Sequence, residues 1–255
     1  MEMMTFRYIV SLSETKELYP DSSWVRISTI TMNAAYPNPV DIEKFKEEFK
    51  PMMGWSISEK PDKKFYNCVT VISKDQYTNK NVKIFPNGTI QATGCCDLAD
   101  TVRVSKRISA VINAVTGQNS EIPVESIQIR LINTNFSANH VLDLHRLYRE
   151  FKRDTRFDVE FNTERYSALK VKYTPFEGDK KVTVSLFSTG KVLIVTGGGL
   201  NLIAAAYRMV NEKLDEFKAK VELAPLQDQQ QYPVFMGYEF SQWVPMLKRR
   251  GIKSF

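Results

Sequence analysis

One pattern occurs twice in this 255-residue chain, as Phe85-Pro-Asn-Gly88-Thr-Ile-Gln-Ala-Thr93-Gly94 and as Phe187-Ser-Thr-Gly190-Lys191-Val-Leu-Ile-Val-Thr196-Gly197. In each copy an aromatic residue precedes a turn that contains glycine, and a strand-like stretch follows. Asn87-Gly88 is a strong hairpin signal, and Thr189-Gly190 occupies the same place in the second copy. The two phenylalanines are 102 residues apart, and this fixed offset indicates an internal duplication.

The duplication extends in both directions from the hairpins. The same offset pairs Asn33 with Asn135 and Asp41 with Asp143, and each aspartate stands where a helix N-cap belongs. Each copy therefore predicts a strand, a short helix, several antiparallel strands and a long helix. We expect repeat 1 over residues 24–120 and repeat 2 over residues 121–219, between an N-terminal extension (1–23) and a C-terminal extension (220–255). Strands are predicted at 65–72, 82–85 and 89–93, and again at 166–173, 182–187 and 191–196.

The helices of such units belong on one face of a sheet. The long helix of repeat 2 has apolar residues at spacings of three and four, from Leu200 to Phe217, which predicts a single buried stripe. Two units side by side would merge their sheets into one, with helices on one face and the other face open. An open face on a large antiparallel sheet suggests a binding surface.

Composition bounds the class of protein. A hydrophobic share of 43% and a charged share of 25% are ordinary for a globular protein. The formal net charge of +6 hints at a polyanionic partner, but residues 1–120, 121–219 and 220–255 each carry the same small surplus, so charge alone locates no binding face. Cys68, Cys95 and Cys96 form neither a disulfide framework nor a zinc pattern, which suggests a reducing compartment. We expect no secretory signal, no membrane span and no metal or other cofactor.

With its duplicated hairpin motif, the chain resembles the core domain of the TATA-box-binding protein family over residues 24–219. That family carries Phe-x-x-Gly-Lys-hydrophobic-x-x-Thr-Gly in each of two repeats. The divergence is similar to that of TATA-binding-like factors of large DNA viruses. The resemblance implies an α+β saddle, a curved antiparallel sheet built by two tandem repeats with helices on the convex face.

The resemblance also implies a function. It is that of a transcription initiation factor that binds and bends A/T-rich promoter DNA through the minor groove. Its protein partners would be a TFIIB-like factor and RNA polymerase. The compartment would be intracellular: the nucleus or, for a viral chain, a cytoplasmic virus factory.

The resemblance assigns roles to particular residues. Paired aromatic side chains would intercalate at each end of the DNA site: Phe65 with Phe85, and Tyr166 with Phe187. The two-residue period of strands then assigns the remaining groove-side positions. The side chains expected in the minor groove are Thr29, Thr31, Asn33, Val69, Val71, Gln91, Thr93, Leu131, Asn133, Asn135, Ser185 and Thr196. The cations expected at phosphates are Lys63, Lys64, Lys83, Lys170, Lys172 and Lys191.

Several positions depart from the family pattern. The family places an asparagine in the first strand of each repeat, where this chain has Thr29 and Leu131. Asn33 and Asn135 lie four residues further on, and Asn133 shares their face. The hairpin lysine is present as Lys191, whereas repeat 1 has Thr89 at that position. Repeat 2 has one additional residue between its two motif glycines, which predicts a β-bulge there.

Other interpretations compete with this one. The aromatic residues could be core residues. Cys95-Cys96 is better explained as a packed junction than as a redox pair, and Gly197-Gly198-Gly199 as a strand-to-helix turn rather than a phosphate loop. The C-terminal aromatics could pack on the sheet or contact a partner protein. The final basic cluster could be a localisation signal, a phosphate contact or a solvated end.

Two further functions compete with the leading one. The chain could be a protein-interaction module that has lost DNA recognition. It could also be an accessory domain of an enzyme, since this fold also occurs beside glycosylase and ribonuclease domains. No catalytic constellation is found in the sequence, so we expect that the chain is not an enzyme.

Overall fold

The computed structural model describes residues 19, 21–52, 54–58, 67–74, 79–217 and 220–221. The described residues form two compact units. Unit 1 contains residues 29–132, and unit 2 contains residues before 29 and after 132. None of the helices in the described part of the chain is long and apolar enough to cross a membrane.

Unit 1 is an antiparallel sheet with two helices. Its strands follow the spatial order β2-β3-β4-β5-β1. The elements are β1 (Arg26–Ala35), α1 (Ile42–Glu48), β2 (Trp55–Ile57), β3 (Val69–Lys74), β4 (Asn79–Ile84), β5 (Thr89–Cys95) and α2 (Leu98–Thr116). The first three residues of β1 belong to unit 2. A 3₁₀ turn (Val124–Ser126) leads into β6.

Unit 2 repeats this element order with two additional short strands. Its main sheet follows the spatial order β6-β11-β10-β9-β8. The elements are β6 (Gln128–Ser137), β7 (Val141–Leu142), α3 (Leu144–Arg153), β8 (Asp158–Glu160), β9 (Leu169–Tyr173), β10 (Val182–Leu186), β11 (Lys191–Thr196), α4 (Leu200–Glu216) and β12 (Lys220–Val221). Strands β7 and β12 pair separately from that sheet.

The 102-residue offset reappears in the backbone hydrogen bonds. Tyr36 N donates to Gly88 O at 2.9 Å, and Ala138 N donates to Gly190 O at the same distance. The helix caps repeat as well, since Asp41 caps α1 through Lys44 N and Asp143 caps α3 through Arg146 N. These hydrogen bonds are equivalent in the two units, although most of the side chains around them differ. The two copies therefore share their backbone structure more closely than their sequence.

The core lies between the sheet and the long helix of each unit. In unit 1, Val82, Ile90 and Ile108 are fully buried, and in unit 2 the same holds for Val184 and Val210. Alternate strand residues point into this core because side chains change face at every residue. The other residues of β1, β4, β5, β6 and β11 are half-exposed or exposed.

Several element boundaries differ from the predicted ones. Helix α1 ends at Glu48, although helical spacing predicted that it would include Phe49 and Met52. Pro51 explains the early end, because the residues before a proline avoid helical geometry. Strands β3 and β9 begin at Val69 and Leu169, later than predicted. The short outer strands β2 and β8 were missed, because three-residue strands have too little alternation to be detected.

A β-bulge lies in unit 1, whereas the pairing of β10 with β11 does not contain the bulge that was predicted in repeat 2. Strands β10 and β11 pair in uninterrupted register, whereas the pairing of β1 with β5 shifts by one residue at Gly94. Gly94 has a φ of +93°, and a Cβ there would lie 2.1 Å from Asn79 O. Only a residue without a Cβ fits this backbone conformation, and Gly94 supplies it at the position of the bulge.

The N-terminal extension contributes to unit 2. Ser23 N donates to Ser137 O at 2.7 Å, and Ser137 N donates to Ser23 Oγ at 2.7 Å. Ser22 is buried, and Tyr207 of α4 donates its hydroxyl to Ser23 O. A segment that precedes repeat 1 in sequence is therefore part of the unit built by repeat 2.

Replacing Gly190 with alanine is expected to destabilise the protein by more than replacing Gly178 does. Both glycines have a φ near +80°, which costs an L-residue about 1–2 kcal/mol. A Cβ on Gly190 would lie 2.1 Å from His140 O, whereas nothing lies within 4 Å at Gly178. The added overlap should cost about 1–3 kcal/mol more. Urea unfolding of both variants measures the difference in the free energy of unfolding. Equal losses of stability would show that the backbone at His140 moves away from the added Cβ at no cost.

Candidate nucleic-acid interface

The sheet of unit 1 has a polar face opposite its helices, which we call open face 1. Its side chains come from the half-exposed and exposed positions of four strands. They are Thr29, Thr31, Asn33, Thr70, Ile72, Asn81, Lys83, Thr89, Gln91 and Thr93. The structure thus places six of the predicted groove or phosphate residues of repeat 1 together: Thr29, Thr31, Asn33, Lys83, Gln91 and Thr93. Leu131, at the unit 1 end of β6, is also half-exposed.

On open face 1, residues that pair across neighbouring strands form rows perpendicular to the strands. Gln91 pairs with Asn33 on one side and with Lys83 on the other. Thr93 pairs likewise with Thr31 and Asn81. The hydroxyl of Thr93 donates to Asn81 O at 3.4 Å. This surface therefore offers amide and hydroxyl groups in adjacent rows, which can both donate and accept hydrogen bonds.

Unit 2 has a corresponding surface, open face 2, with a different character. It combines charged side chains of both signs with polar, apolar and aromatic ones. They are Asn133, Asn135, Asp158, Glu160, Tyr166, Lys170, Lys172, Thr183, Phe187, Lys191, Leu193 and Val195. Asn135 donates its amide to Ser28 Oγ at 2.6 Å, so this side chain is already engaged within unit 2.

Tyr166 and Phe187 lie against each other at one end of open face 2. Their ring centroids are 5.7 Å apart with an interplanar angle of 72°, an edge-to-face contact. Tyr166 is one of the few large apolar residues in the described part of the chain that are exposed, at 38%. Lys170 Nζ sits 4.7 Å from the Tyr166 ring centroid, a cation–π contact. Two residues 21 positions apart thus form one aromatic projection with a cation beside it.

The hairpin turn sets the position of Phe187. Phe187 N donates to Lys191 O, and Gly190 N donates to Phe187 O, both at 2.9 Å. The strand ends at Leu186, so Phe187 is held by the turn at the end of the open face. Tyr166 precedes β9 and is held by a turn, because its N–H donates to Asn162 O at 2.9 Å.

Phe85 occupies the equivalent place in unit 1. Phe85 N donates to Thr89 O at 2.9 Å and Gly88 N donates to Phe85 O at 3.0 Å, as in unit 2. Phe85 is half-exposed and lines a shallow depression with Asn33 and Gln91. Its predicted partner Phe65 lies outside the described residues, as do Lys63 and Lys64.

Val69 and Val71 are buried in the core of unit 1, so their assignment to the groove was wrong. They are 2% and 0% exposed. The register pairs Val69 with Ile84 and Val71 with Val82, which also face the helices. Thr70 and Ile72 occupy the open face instead. The alternation of β4 could have revealed this, since residues paired across strands share a face.

Ser185 and Thr196 are also buried. Ser185 has the correct parity but is only 7% exposed. It lies directly between Leu193 and Lys170, and these larger side chains cover it. Thr196 is 1% exposed and lies on the core face, because it pairs with the buried Val182 in the regular register of β10 with β11. Leu193 and Val195 hold the outward positions that sequence matching missed.

Charge on open face 2 is mixed. Lys170 and Lys172 pair across strands with Glu160 and Asp158, respectively, at the outer strand β8. Lys172 Nζ lies 3.9 Å from a carboxylate oxygen of Glu160, a loose and exposed ion pair. Lys191 is exposed at the start of β11. The cations are therefore available to a polyanion, but two of them have carboxylates as neighbours.

Comparison with known proteins agrees with this geometry. A curated relative, a "TATA-box-binding protein-like" protein of Acanthamoeba polyphaga mimivirus, is 26% identical over 86% of this chain and 72% of its own length. The solved TBP of Methanococcus jannaschii superimposes with a TM-score of 0.53 at 16% identity, over 76% of this chain and 98% of that one. The chain is a diverged TBP-like protein. No protein-family model matches it.

Possible metal ligands and cysteine thiols are the other reactive groups among the described residues. No group of three His, Cys, Asp or Glu side chains in that part of the chain could hold a metal ion. Cys95 is buried, and burial, with smaller contributions from nearby groups, raises the pKa of its thiol to about 12. Burial and the neighbouring Asp100 likewise raise the pKa of Cys96 to about 12. Both thiols therefore stay protonated at neutral pH.

Proposed function

We propose that this protein binds double-stranded DNA through the minor groove and bends it as a transcription initiation factor. Open faces 1 and 2 would lie on the groove as the two halves of one saddle. The observation that carries the proposal is the Tyr166–Phe187 contact at the end of open face 2, with Phe85 held by the same turn in unit 1. The relatives named TBP or TBP-like support it.

The aromatic projection suits insertion between base pairs. Tyr166 and Phe187 meet edge to face, and both are accessible from the open face. Inserting flat apolar side chains unstacks a base step at a cost of a few kcal/mol, which the contacts made by bent DNA can offset. The hydroxyl of Tyr166 adds a polar tip, and Lys170 beside it brings a positive charge toward the phosphates.

The remaining roles rest on the resemblance to TBP-like proteins. The protein would recruit a TFIIB-like factor and RNA polymerase to A/T-rich promoters, inside the cell. It would act by binding rather than by catalysis. Binding titrations with A·T-rich and G·C-rich duplexes, together with a bending assay, test the proposal. Failure to bind either duplex at low salt would contradict it.

Affinity is expected to fall steeply as salt rises. Each phosphate contact contributes about 0.9 to the slope of log K against log salt. Contacts from Lys83, Lys170, Lys172 and Lys191 predict a slope of about −3 to −4. Lys191→Gln should reduce the magnitude of the slope by about one and weaken A·T-rich and G·C-rich binding alike.

A matched control separates this contact from general charge. Lys152 is an exposed lysine on α3, so Lys152→Gln removes the same charge away from the open face. An equal change of slope in both variants would show that Lys191 makes no specific phosphate contact.

A protein-interaction module is the second candidate function. Asp158 and Glu160 lie opposite Lys172 and Lys170 on open face 2 and reduce its positive potential. A partner protein tolerates such mixed charge better than a duplex does. A stable complex with another protein, together with no affinity for DNA at low salt, would favour this function.

A further inference from the structure

The centres of the two open faces differ at matched positions. Gln91 and Thr93 stand at the centre of open face 1, and the residues 102 positions later are Leu193 and Val195. All four side chains are half-exposed, so each is accessible from its open face. The duplication therefore preserved the backbone and changed the chemistry displayed on it.

The neighbours extend this difference. Gln91 is flanked across strands by Asn33 and Lys83. Thr93 is flanked by Thr31 and Asn81. The centre of open face 1 therefore displays amides and hydroxyls, each with oxygen atoms that can accept a hydrogen bond.

Open face 2 is apolar at the same place. Leu193 lies opposite Ser185, which is only 7% exposed, and Val195 lies opposite Thr183. The branched side chains of Leu193 and Val195 thus dominate the surface between Lys191 and the end of β11. Methyl groups can pack against a groove floor but cannot accept a hydrogen bond.

The minor groove distinguishes base pairs by one donor. A·T and T·A pairs present only acceptors, whereas a G·C pair adds the guanine 2-amino group. A buried donor left without an acceptor is costly, whereas an amide or hydroxyl oxygen can satisfy it. Gln91 can also donate to the acceptors of an A·T pair, so a polar surface tolerates both kinds of pair.

We infer that open face 2 restricts its half of the DNA site to A·T pairs, while open face 1 accepts G·C pairs in the other half. The residues that set the difference are Leu193 and Val195 against Gln91 and Thr93. A site with one A·T-only half and one tolerant half has a direction, so the protein binds it in one orientation. This inference rests on the proposed function, because it assumes that both faces lie on one duplex.

A base-pair scan tests the inference. In an A·T-rich site, each pair is replaced in turn by G·C and by inosine·C, which lacks the 2-amino group. We expect G·C to weaken binding by about tenfold or more throughout one half and by less than about threefold in the other. Inosine·C should restore the binding lost in the sensitive half, because it presents the minor groove of an A·T pair.

Exchanged variants assign the halves to the faces. Leu193→Gln with Val195→Thr should relax the G·C penalty in the sensitive half. Gln91→Leu with Thr93→Val should create a penalty in the tolerant half. Each exchange keeps side-chain size close to the original, and circular dichroism together with urea unfolding checks that the fold is kept.

The outcomes separate the two proposals. Equal G·C penalties in both halves, or penalties that the exchanges do not move, would overturn this inference while DNA binding stands. A chain that binds no duplex at low salt would overturn the proposed function and this inference with it.

Discussion

Replacing Phe187 with alanine is expected to weaken binding to an A·T-rich duplex by about 5- to 150-fold and to reduce the bend of the bound DNA. This range corresponds to about 1–3 kcal/mol per aromatic stacking contact on a base. Phe187 also supports Tyr166 through the edge-to-face contact at 5.7 Å. Its removal therefore takes away one inserted ring and the support of the other.

Related variants refine the expectation. Tyr166→Phe should retain most of the affinity, because the flat apolar ring remains and only the polar tip is lost. Tyr166→Ala should approach the loss seen for Phe187→Ala. Phe85→Ala should act in the same way in unit 1, because its hairpin repeats the hydrogen bonds of Phe187.

Phe176 provides the matched control for the wedge. It is 52% exposed and lies in the loop between β9 and β10, at the other end of the hairpin from Phe187. Phe176→Ala should change neither affinity nor bending. Fluorescence energy transfer between dyes at the duplex ends measures the bend. If the double variant Phe85→Ala with Phe187→Ala binds and bends DNA like the parent protein, the wedge mechanism is wrong.

Replacing Asp100 with asparagine is expected to destabilise the protein by about 3–5 kcal/mol. Lys80 Nζ lies 2.9 Å from Asp100 Oδ2, and the two side chains are 1% and 4% exposed. A neutral amide at position 100 would leave the ammonium of Lys80 buried without its carboxylate. Desolvation of an unpaired charge is far more costly than the loss of an exposed ion pair.

The double variant Lys80→Met with Asp100→Asn should recover most of this loss. It removes both buried charges and keeps a side chain of similar length at position 80. Replacing a buried ion pair by neutral groups of similar volume is often neutral or stabilising. Unit 2 has no charge at the corresponding positions. Val182 and Leu202, which lie 102 residues after Lys80 and Asp100, are apolar and buried.

The same pair predicts sensitivity to acid. Burial alone would raise the pKa of Asp100, but the hydrogen bond from Lys80 and that from Cys96 N outweigh it, so the pKa lies below its usual value. A lowered folded-state pKa adds stability above the unfolded pKa of about 3.9, and this stability is lost as the pH falls through the folded value.

Urea unfolding at neutral and acidic pH tests both expectations. Lys44 and Glu48 form an exposed ion pair at 3.8 Å on α1, so Glu48→Gln is the control and should change stability by less than about 1 kcal/mol. If Asp100→Asn costs no more than Glu48→Gln, or if the double variant is as unstable as the single one, the buried pair does not act as described.

The duplicated hairpin allowed the fold to be predicted. A glycine in a turn and an aspartate at a helix start constrain the backbone locally, and such constraints can be read from neighbouring residues. Gly88, Gly190, Asp41 and Asp143 therefore appear where the sequence placed them. Tyr166 and Phe187, which the resemblance assigned to one pair, lie in contact, and their insertion into DNA stays a prediction.

The side-chain faces were predicted less completely. Val69, Val71 and Thr196 were assigned to the groove but belong to the core. One shifted residue moves every later side chain to the opposite face, and register depends on the partner strand rather than on the strand itself.

The sequence by itself determined the repeat, its element order and the hairpin aromatics, because these depend on residues that are close along the chain. Only the tertiary structure decided that Ser22 and Ser23 complete unit 2, that Lys80 and Asp100 form a buried pair, and that Leu193 and Val195 face outward. The reason is physical. Burial, ion pairing and strand register depend on contacts between residues that are distant along the chain. Local sequence propensity does not determine those contacts.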